Sequence, residues 1–420
     1  MDYLQLIAEK PPEKAALFCS EGGERGGIPG EEMPVRGNAG MRSSRPTSAG
    51  LELVQESNVV LIEQTDIVDL KAAHNHMQYH DVARKIEKLH IMFEASGVQR
   101  GDKIALCGRN SAAWAAAFLA ILTYGAVAVP ILHEFTPDQV HNIVNHSDAK
   151  LLFIGDVAAT QIDATKMPGL EGIIYIPDYS LVVSRTEQLT YAREHLNEMF
   201  GKKYPKYFRQ QHVHYYREQS PDELALINYT SGTTGRSKGV MLPYRSLWSN
   251  ADFAFHVLGK TLKRGDNVIS ILPMAHMYGM AFEFIFEFLK GMHIYYLNRV
   301  PSPAVIAQAL ADVKPRIMIA VPLVIEKIIR KMVFPLIQQR YVHLLLNMPV
   351  VNKKIKARIL QQVKDIFGGQ LFEMMFGGAG LNREVEVKGT TRGVSSGADG
   401  SFAFDAFYER GCPIVMTLNN

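Results

Sequence analysis

LALINYTSGTTGRSKG, Leu224 to Gly239, joins a short apolar run to a loop of hydroxyls, glycines and one lysine. The run Leu224–Asn228 reads as a buried strand, bounded by turn residues. In the loop, glycines let backbone N–H groups turn inward, hydroxyls add neutral donors, and Lys238 adds a mobile charge. That set suits a phosphate group. The spacing is not the Walker form G-x-x-x-x-G-K-[ST], because Ser237 precedes the lysine and Gly239 follows it. A flexible surface turn rich in Ser, Thr and Gly is the alternative, and the fixed lysine and flanking strand favour phosphate. Downstream, GVML and Pro243 lead into YRSLWSNADFAFHVL, where Leu247, Ala251 and Phe255 fall at helical spacing. A strand, a glycine-rich loop and a helix make a frequent anion-binding context.

Working outward, strands and helices alternate. Val82, Ile86, Leu89 and Phe93 share one helical face, with Gly97 as the stop. KIALCG (Lys103–Gly108) and KLLFIGD (Lys150–Asp156) are short apolar strands. So are AVAV, NVISILPM, HIYYL, RIMIAV and LFEMMFGG. Thr136-Pro137 opens a helix with a cap and a first-turn proline. The fold class expected is α/β, with mostly parallel sheets covered by helices.

Composition bounds the rest. With 47% hydrophobic and 21% charged residues, 420 residues can bury a sizeable core. A net charge of +3 is too balanced to indicate nucleic acid as a partner. Cys19, Cys107 and Cys412 are far apart and form no metal spacing, so reduced thiols and a cytoplasmic location are expected. MDYLQLIAEKPPEK has no secretory pattern. Ala112 to Leu132 runs twenty-one residues without a charge or histidine, but Gly125 and Pro130 divide it into a buried helix and a strand. No transmembrane span is expected, and peripheral membrane contact is compatible with the sequence. The histidines of HNHMQYH (74–80) and HVH (212–214) lack acidic or cysteine companions at ligand spacing, and read as solvated or capping residues. Glu21 to Gly50 holds eight glycines, three prolines and eight charges, a composition that buries too little to offset ordering entropy. The division expected is an N-terminal helix in 1–20, an irregular insertion in 21–78, a main domain in 79–386 and an aperiodic tail in 387–420.

TSGTTGRSKG closely resembles the signature loop of the adenylate-forming (AMP-dependent synthetase/ligase) superfamily. LPMAHMYG (Leu272–Gly279) is similar to that family's next motif, FGGAG (Phe376–Gly380) to its third, and GDKIALCGRNSAAWAAAFLAILTYGAVAVPI to the early βαβ unit of acyl-CoA synthetases. The resemblance covers roughly Tyr79 to Glu386, most of the family's large N-terminal domain, and is greatest to long-chain fatty-acid–CoA ligases. It implies ATP-dependent activation of a fatty acid to an acyl-adenylate, then transfer to coenzyme A. It implies that Thr230, Ser231, Gly232, Thr233, Thr234, Gly235 and Lys238 hold the ATP phosphates, with Thr234 a candidate Mg²⁺ ligand. Gly377, Gly378 and Ala379 would face the adenine and the acyl group. His276 would stand near the reacting carboxylate, with Met277, Tyr278 and Gly279 at the acyl pocket. From spacing alone, His276 reads better as a satisfied strand-end histidine, and the Phe/Met stripe of Met277–Gly291 as core packing.

The sequence also departs from the family. The resemblance implies a Tyr-Gly-x-Thr-Glu motif, a Thr-Gly-Asp motif and a small C-terminal domain carrying a catalytic lysine. Neither motif occurs in the 420 residues, and Cys19–Met77 and Val387–Asn420 have no counterpart in the family. The resemblance therefore implies an incomplete domain, impaired in turnover as it stands. Two alternatives stay open: a non-catalytic acyl- or nucleotide-binding fragment, and another carboxylate- or amino-acid-adenylating enzyme. Among the residues after His276, the first acid is Glu283, which favours an apolar carboxylate over an amino acid. The sequence sets neither acyl chain length nor oligomeric state.

Overall fold

The computed structural model describes residues 61–64, 76–218, 220–230, 238–297, 302–337, 352–377, 403–405 and 414–417. Two sheets organise them. One has seven strands, in the order β7-β6-β5-β3-β4-β8-β9. These are β3 (Lys103–Cys107), β4 (Val127–Ile131), β5 (Ala149–Ile154), β6 (Gly172–Tyr175), β7 (Leu181–Ser184), β8 (Leu224–Thr230) and β9 (Lys238–Pro243). The other has eight, in the order β14-β15-β13-β12-β10-β11-β1-β2. These are β1 (Leu61–Gln64), β2 (His76–Met77), β10 (Asn267–Ser270), β11 (His293–Leu297), β12 (Ile317–Ala320), β13 (Glu373–Phe376), β14 (Ala403–Asp405) and β15 (Ile414–Thr417).

The interior strands pair in parallel: β6-β5-β3-β4-β8 in the first sheet and β13-β12-β10-β11-β1 in the second. Parallel strands are covered on both faces, so their sequences are almost wholly apolar. KIALC and AKLLFI obey this, with Ile104, Leu106, Leu151 and Phe153 all buried. The antiparallel pairs lie at the margins: β7 on β6, β9 on β8, β2 on β1, and β15 between β13 and β14. The expected α/β class with mostly parallel sheets is the one observed.

The local signals explain the helix ends. The charge-free run begins with the helix Ala112–Tyr124, where the Ser111 side chain caps by accepting from Trp114 N at 3.0 Å. Gly125 ends it in the left-handed region at φ 87°, which other residues adopt only with strain. Trp114 and Phe118 stack at 5.4 Å, and both are buried, so this apolar segment lies inside the protein. Among the described residues, no helix is long and apolar enough to cross a membrane. Thr136 caps Pro137–His146 through Gln139 N, with Pro137 in the first turn as expected.

Three placements differ from the sequence reading. GVML belongs to a strand, β9, so the glycine-rich loop joins two strands of a hairpin. Its six residues carry the chain about 20 Å before the helix Tyr244–Leu258 begins. That helix N-terminus therefore stands at the far end of the hairpin from the loop, and the expected helix-dipole contribution to an anion there does not apply. Strands β1 and β2 fall within 21–78, and β14 and β15 within 387–420. The other residues of 1–78 except Gln78, and those of 387–420 outside β14 and β15, lie outside the described residues.

Candidate functional site

The C-terminal ends of parallel strands are where α/β sheets place their ligands. Here three such ends converge: β8 at Thr230, the turn after β10, and β13 at Phe376. At the first, Thr230 pairs directly with Lys238 in antiparallel register, so the two stand across the hairpin mouth. Both are exposed. Residues 231–237, with Ser231, Gly232, Thr233, Thr234 and Gly235, lie outside the described residues. Tyr229 is buried, its hydroxyl 2.7 Å from His146 Nδ1. A Cβ at Gly239 would come 3.1 Å from the Tyr229 ring and 2.9 Å from Ile227 Cγ2. Only glycine lets the returning strand pass so close.

The second end carries His276. Pro273 to His276 form a turn, and His276 caps the helix Met277–Met280, its Nδ1 accepting from Tyr278 N at 3.2 Å. With Nδ1 accepting, the neutral ring holds its proton on Nε2. The imidazole is exposed. Two buried asparagines fix the turn. Asn228, within β8, donates to Ala275 O at 2.9 Å. Asn110, after β3, donates to Leu272 O at 2.6 Å and Ser270 Oγ at 2.9 Å, and accepts from Met274 N at 2.8 Å. The turn is thus tied to strands β3 and β8 of the other sheet.

At the third end, Gly377 lies flat on the Tyr278 ring: a Cβ there would meet Tyr278 Cζ at 2.7 Å. Phe376 pairs with Ala320 of β12, so β13 delivers Gly377 to this ring in register. Thr230, Lys238, His276, Tyr278 and Gly377 therefore occupy one edge of the molecule. Gly378 and Ala379 lie outside the described residues. Met277 is half-buried, whereas Tyr278 and Gly279 are buried beside Leu272 and Pro273.

Residues 58–389 match the family described as AMP-binding enzyme, so residues 58–77, with β1 and β2, and 387–389 belong to the match although no counterpart was expected there. The chain belongs to the AMP-binding enzyme family. Among curated relatives, it is 25% identical over 282 residues to long chain acyl-CoA synthetase 3 of Arabidopsis thaliana, covering 66% of this chain and 42% of that protein. It is 28% identical over 248 residues to the long-chain-fatty-acid–CoA ligase FadD15 of Mycobacterium tuberculosis, covering 59% and 39%. The chain thus spans about two fifths of the length of the relatives it matches. Similar folds occur in the N-terminal domain of FACL13 from Mycobacterium tuberculosis, at TM-score 0.53 and 20% identity over 79% of this chain and 75% of that one. A red-emitting luciferase from Phrixothrix hirtus aligns at TM-score 0.58 and 17% identity, covering 80% and 57%.

In this AMP-binding domain, the Phe-rich segment after His276 belongs to the core. It is helical over Met277–Met280, passes through one wide π turn at Ala281–Ile285 and resumes over Phe286–Lys290. Phe284 packs against Phe118 and Phe286 against Phe255, both edge-on. Two fully buried acids interrupt it. Glu283 Oε2 accepts from Ile271 N and Leu272 N, both at 2.8 Å, holding the strand that leads to the His276 turn. Glu287 has no hydrogen-bond partner among the described residues beyond the approach of its own backbone N–H. Burial pushes both carboxyls well above the usual carboxylate range. Hydrogen bonds from Leu272 and Ile271 oppose this at Glu283, and the neighbouring Glu283 adds to it at Glu287.

A carboxyl with a raised pKa holds its proton in the fold after the unfolded chain has lost it. Stability is then fully present below about pH 4.3, where free glutamate titrates, and falls as pH rises. Glu373, pushed up to about 7 by burial against the pull of Thr261 and Arg316, adds to the same slope. Glu287→Gln keeps the shape and cannot ionise. Its urea midpoint should exceed wild type by more in mildly alkaline buffer than in mildly acidic buffer. A difference that shrinks as pH rises would refute the buried neutral carboxyl.

Asn110, Asn228 and Glu283 were not assigned this work from the sequence. The signal for two of them was present: Asn228 closes a buried apolar strand, and Glu283 and Glu287 stand four apart in an otherwise apolar helix. Asn110, in the loop GRNS, carries no comparable mark.

Proposed function

We propose that this domain binds ATP and activates a long-chain fatty acid as an acyl-adenylate, the first half of acyl-CoA synthesis. The observation that supports this best is the convergence of the hairpin mouth, the His276 turn and Gly377 on one strand edge. Carboxylate and triphosphate are both anions, so their encounter needs donors fixed before reaction. Lys238 supplies a charge across from the Thr230 hydroxyl, and the loop between them supplies hydroxyls and backbone N–H groups. His276, protonated on Nε2 when neutral, is a hydrogen-bond donor for the acyl carboxylate. Gly377, packed on the buried Tyr278 ring, brings the end of β13 up to the His276 turn. Coenzyme A is the proposed acceptor. For Mg²⁺, the described residues contain no group of three histidine, cysteine or acidic side chains, and Thr234 is the single candidate ligand, so no step is derived through the metal.

The absence of Tyr-Gly-x-Thr-Glu and Thr-Gly-Asp favours a second reading, nucleotide binding without turnover. ATP–pyrophosphate exchange with palmitate separates the two: exchange supports activation, and ATP binding without exchange supports the second. Both require the loop. Lys238→Ala should weaken ATP binding about 10- to 100-fold, as expected for one lost charge-assisted contact. Isothermal titration of both proteins decides it, and equal affinities would remove the loop from the site.

A further inference from the structure

The segment 199–217 carries Lys202, Lys203, Lys206, Arg209 and Arg217 and no acid, in a chain whose net charge is only +3. Its inner part is consumed by packing. Glu87, buried in the helix Tyr79–Ala95, accepts from Lys203 Nζ at 2.6 Å and from Tyr204 OH at 2.7 Å. That fixes the root of the loop joining the helix Leu196–Lys203 to the turn Gln210–His212. Its outer part is left to solvent. Tyr207 is 58% exposed, and the Arg209 guanidinium lies 4.8 Å from its ring centre. Among the described residues, neither Lys206 nor Arg209 has a carboxylate within ion-pair distance. A groove of about 530 Å³ runs beside them, floored by the Tyr204 and His212 rings stacked 8° from parallel.

We infer that the loop bearing Lys206, Tyr207 and Arg209 docks on a bilayer surface carrying anionic headgroups. An open, projecting tip with two uncompensated cations engages a plane of negative charge, where a small anion would need enclosure. A tyrosine at the same tip suits the headgroup layer, which takes amphipathic rings. A single-stranded nucleic acid needs a row of open ring faces for successive bases, and here Arg209 takes one face of Tyr207 while Tyr204 and His212 cover each other, so a single face is left. The loop packs on the helix Tyr79–Ala95 and shares no residue with the β8, β10 and β13 edge, so this inference stands apart from the catalytic reading.

The test is flotation of the whole 420-residue chain with vesicles of phosphatidylcholine, alone or with a minority of phosphatidylserine. Binding is expected only with phosphatidylserine, and should fall as salt is raised. Lys206→Gln with Arg209→Gln should reduce partitioning about 30-fold, from the strength of a basic residue at an anionic surface. Lys354→Gln with Arg358→Gln, both exposed on the helix Asn352–Ile366, removes the same charge elsewhere and should leave binding unchanged. All four positions are exposed, and matching circular dichroism melts confirm that the variants fold. Several results would overturn the inference. They are no binding to either vesicle, equal binding to both, an equal loss in the control pair, or an oligonucleotide binding more tightly than the vesicles through the same two residues.

Discussion

Thioester formation from palmitate, ATP, Mg²⁺ and coenzyme A by these 420 residues alone should run at least about 10²–10³-fold below a chimera that adds a complete homologous C-terminal half. The figure is the usual cost of removing one preorganised electrostatic partner. The sequence lacks two whole motifs that the family resemblance assigns to the phosphate, the metal and the ribose. Such losses do not multiply when residues act as a unit, so one factor is a floor for the group. The resemblance implies that the half added in the chimera closes over the edge where Thr230, His276 and Gly377 meet. Without closure, water reaches the adenylate, and thioester yield falls further than adenylate formation does. ATP should still bind, because Thr230 and Lys238 sit on a hairpin built into the seven-stranded sheet. Thioester formation by the chain alone at the chimera's rate would sink this prediction, and would mean that other groups in the chain replace the two motifs.

Asn110→Ala should cost about 2–5 kcal/mol of folding stability, read as a lower urea midpoint. The side chain makes three buried hydrogen bonds to the β10 strand and the turn after it. Alanine leaves the Leu272 carbonyl and the Met274 N–H without these partners, and each buried orphan costs about 1–3 kcal/mol. Asn197→Ala is the control, because that amide meets Lys88 at the surface, and its loss should stay within about 0.5 kcal/mol. Equal losses in the two variants would show that the turn is held by something else. The turn carries His276, so Asn110→Ala should also weaken palmitate-dependent exchange more than ATP binding.

The fold was legible where sequence and burial speak the same language. KIALC, AKLLFI and HIYYL are buried strands because continuous apolar runs suit parallel sheets, and the Ser111 and Thr136 caps mark helix starts by their own hydrogen bonds. The marginal strands were harder. In LVVS, alternate residues face outward, and in KGVMLP the apolar Val240 and Met241 stand exposed at 45% and 66%. Nothing local says that GVML pairs with LALIN, because that pairing is set by the hairpin and by Gly239 passing over Tyr229. For the site, the motifs placed His276 and Gly377, and the structure brings them together through Tyr278. The asparagine ties were invisible, since Asn110 and Leu272, like Asn228 and Ala275, are distant in the chain and the amides meet backbone atoms, which have no sequence signature.

The pairing of β1 with β11 has a consequence for how the chain is made. Leu61 lies beside Ile294, 233 residues later, with parallel strands in register through Gln64 and Leu297. At a synthesis rate of about 5–20 residues per second, β1 leaves the ribosome roughly 10–50 seconds before its partner exists. The seven-stranded sheet lies wholly within that interval, and its strands β3 to β9 can close over nearer contacts first. β1 is therefore a late arrival, joining an edge that β10 and β11 must build. Its slot stays open through most of translation, and refolding should show the Tyr295–Tyr296 edge gaining amide protection last.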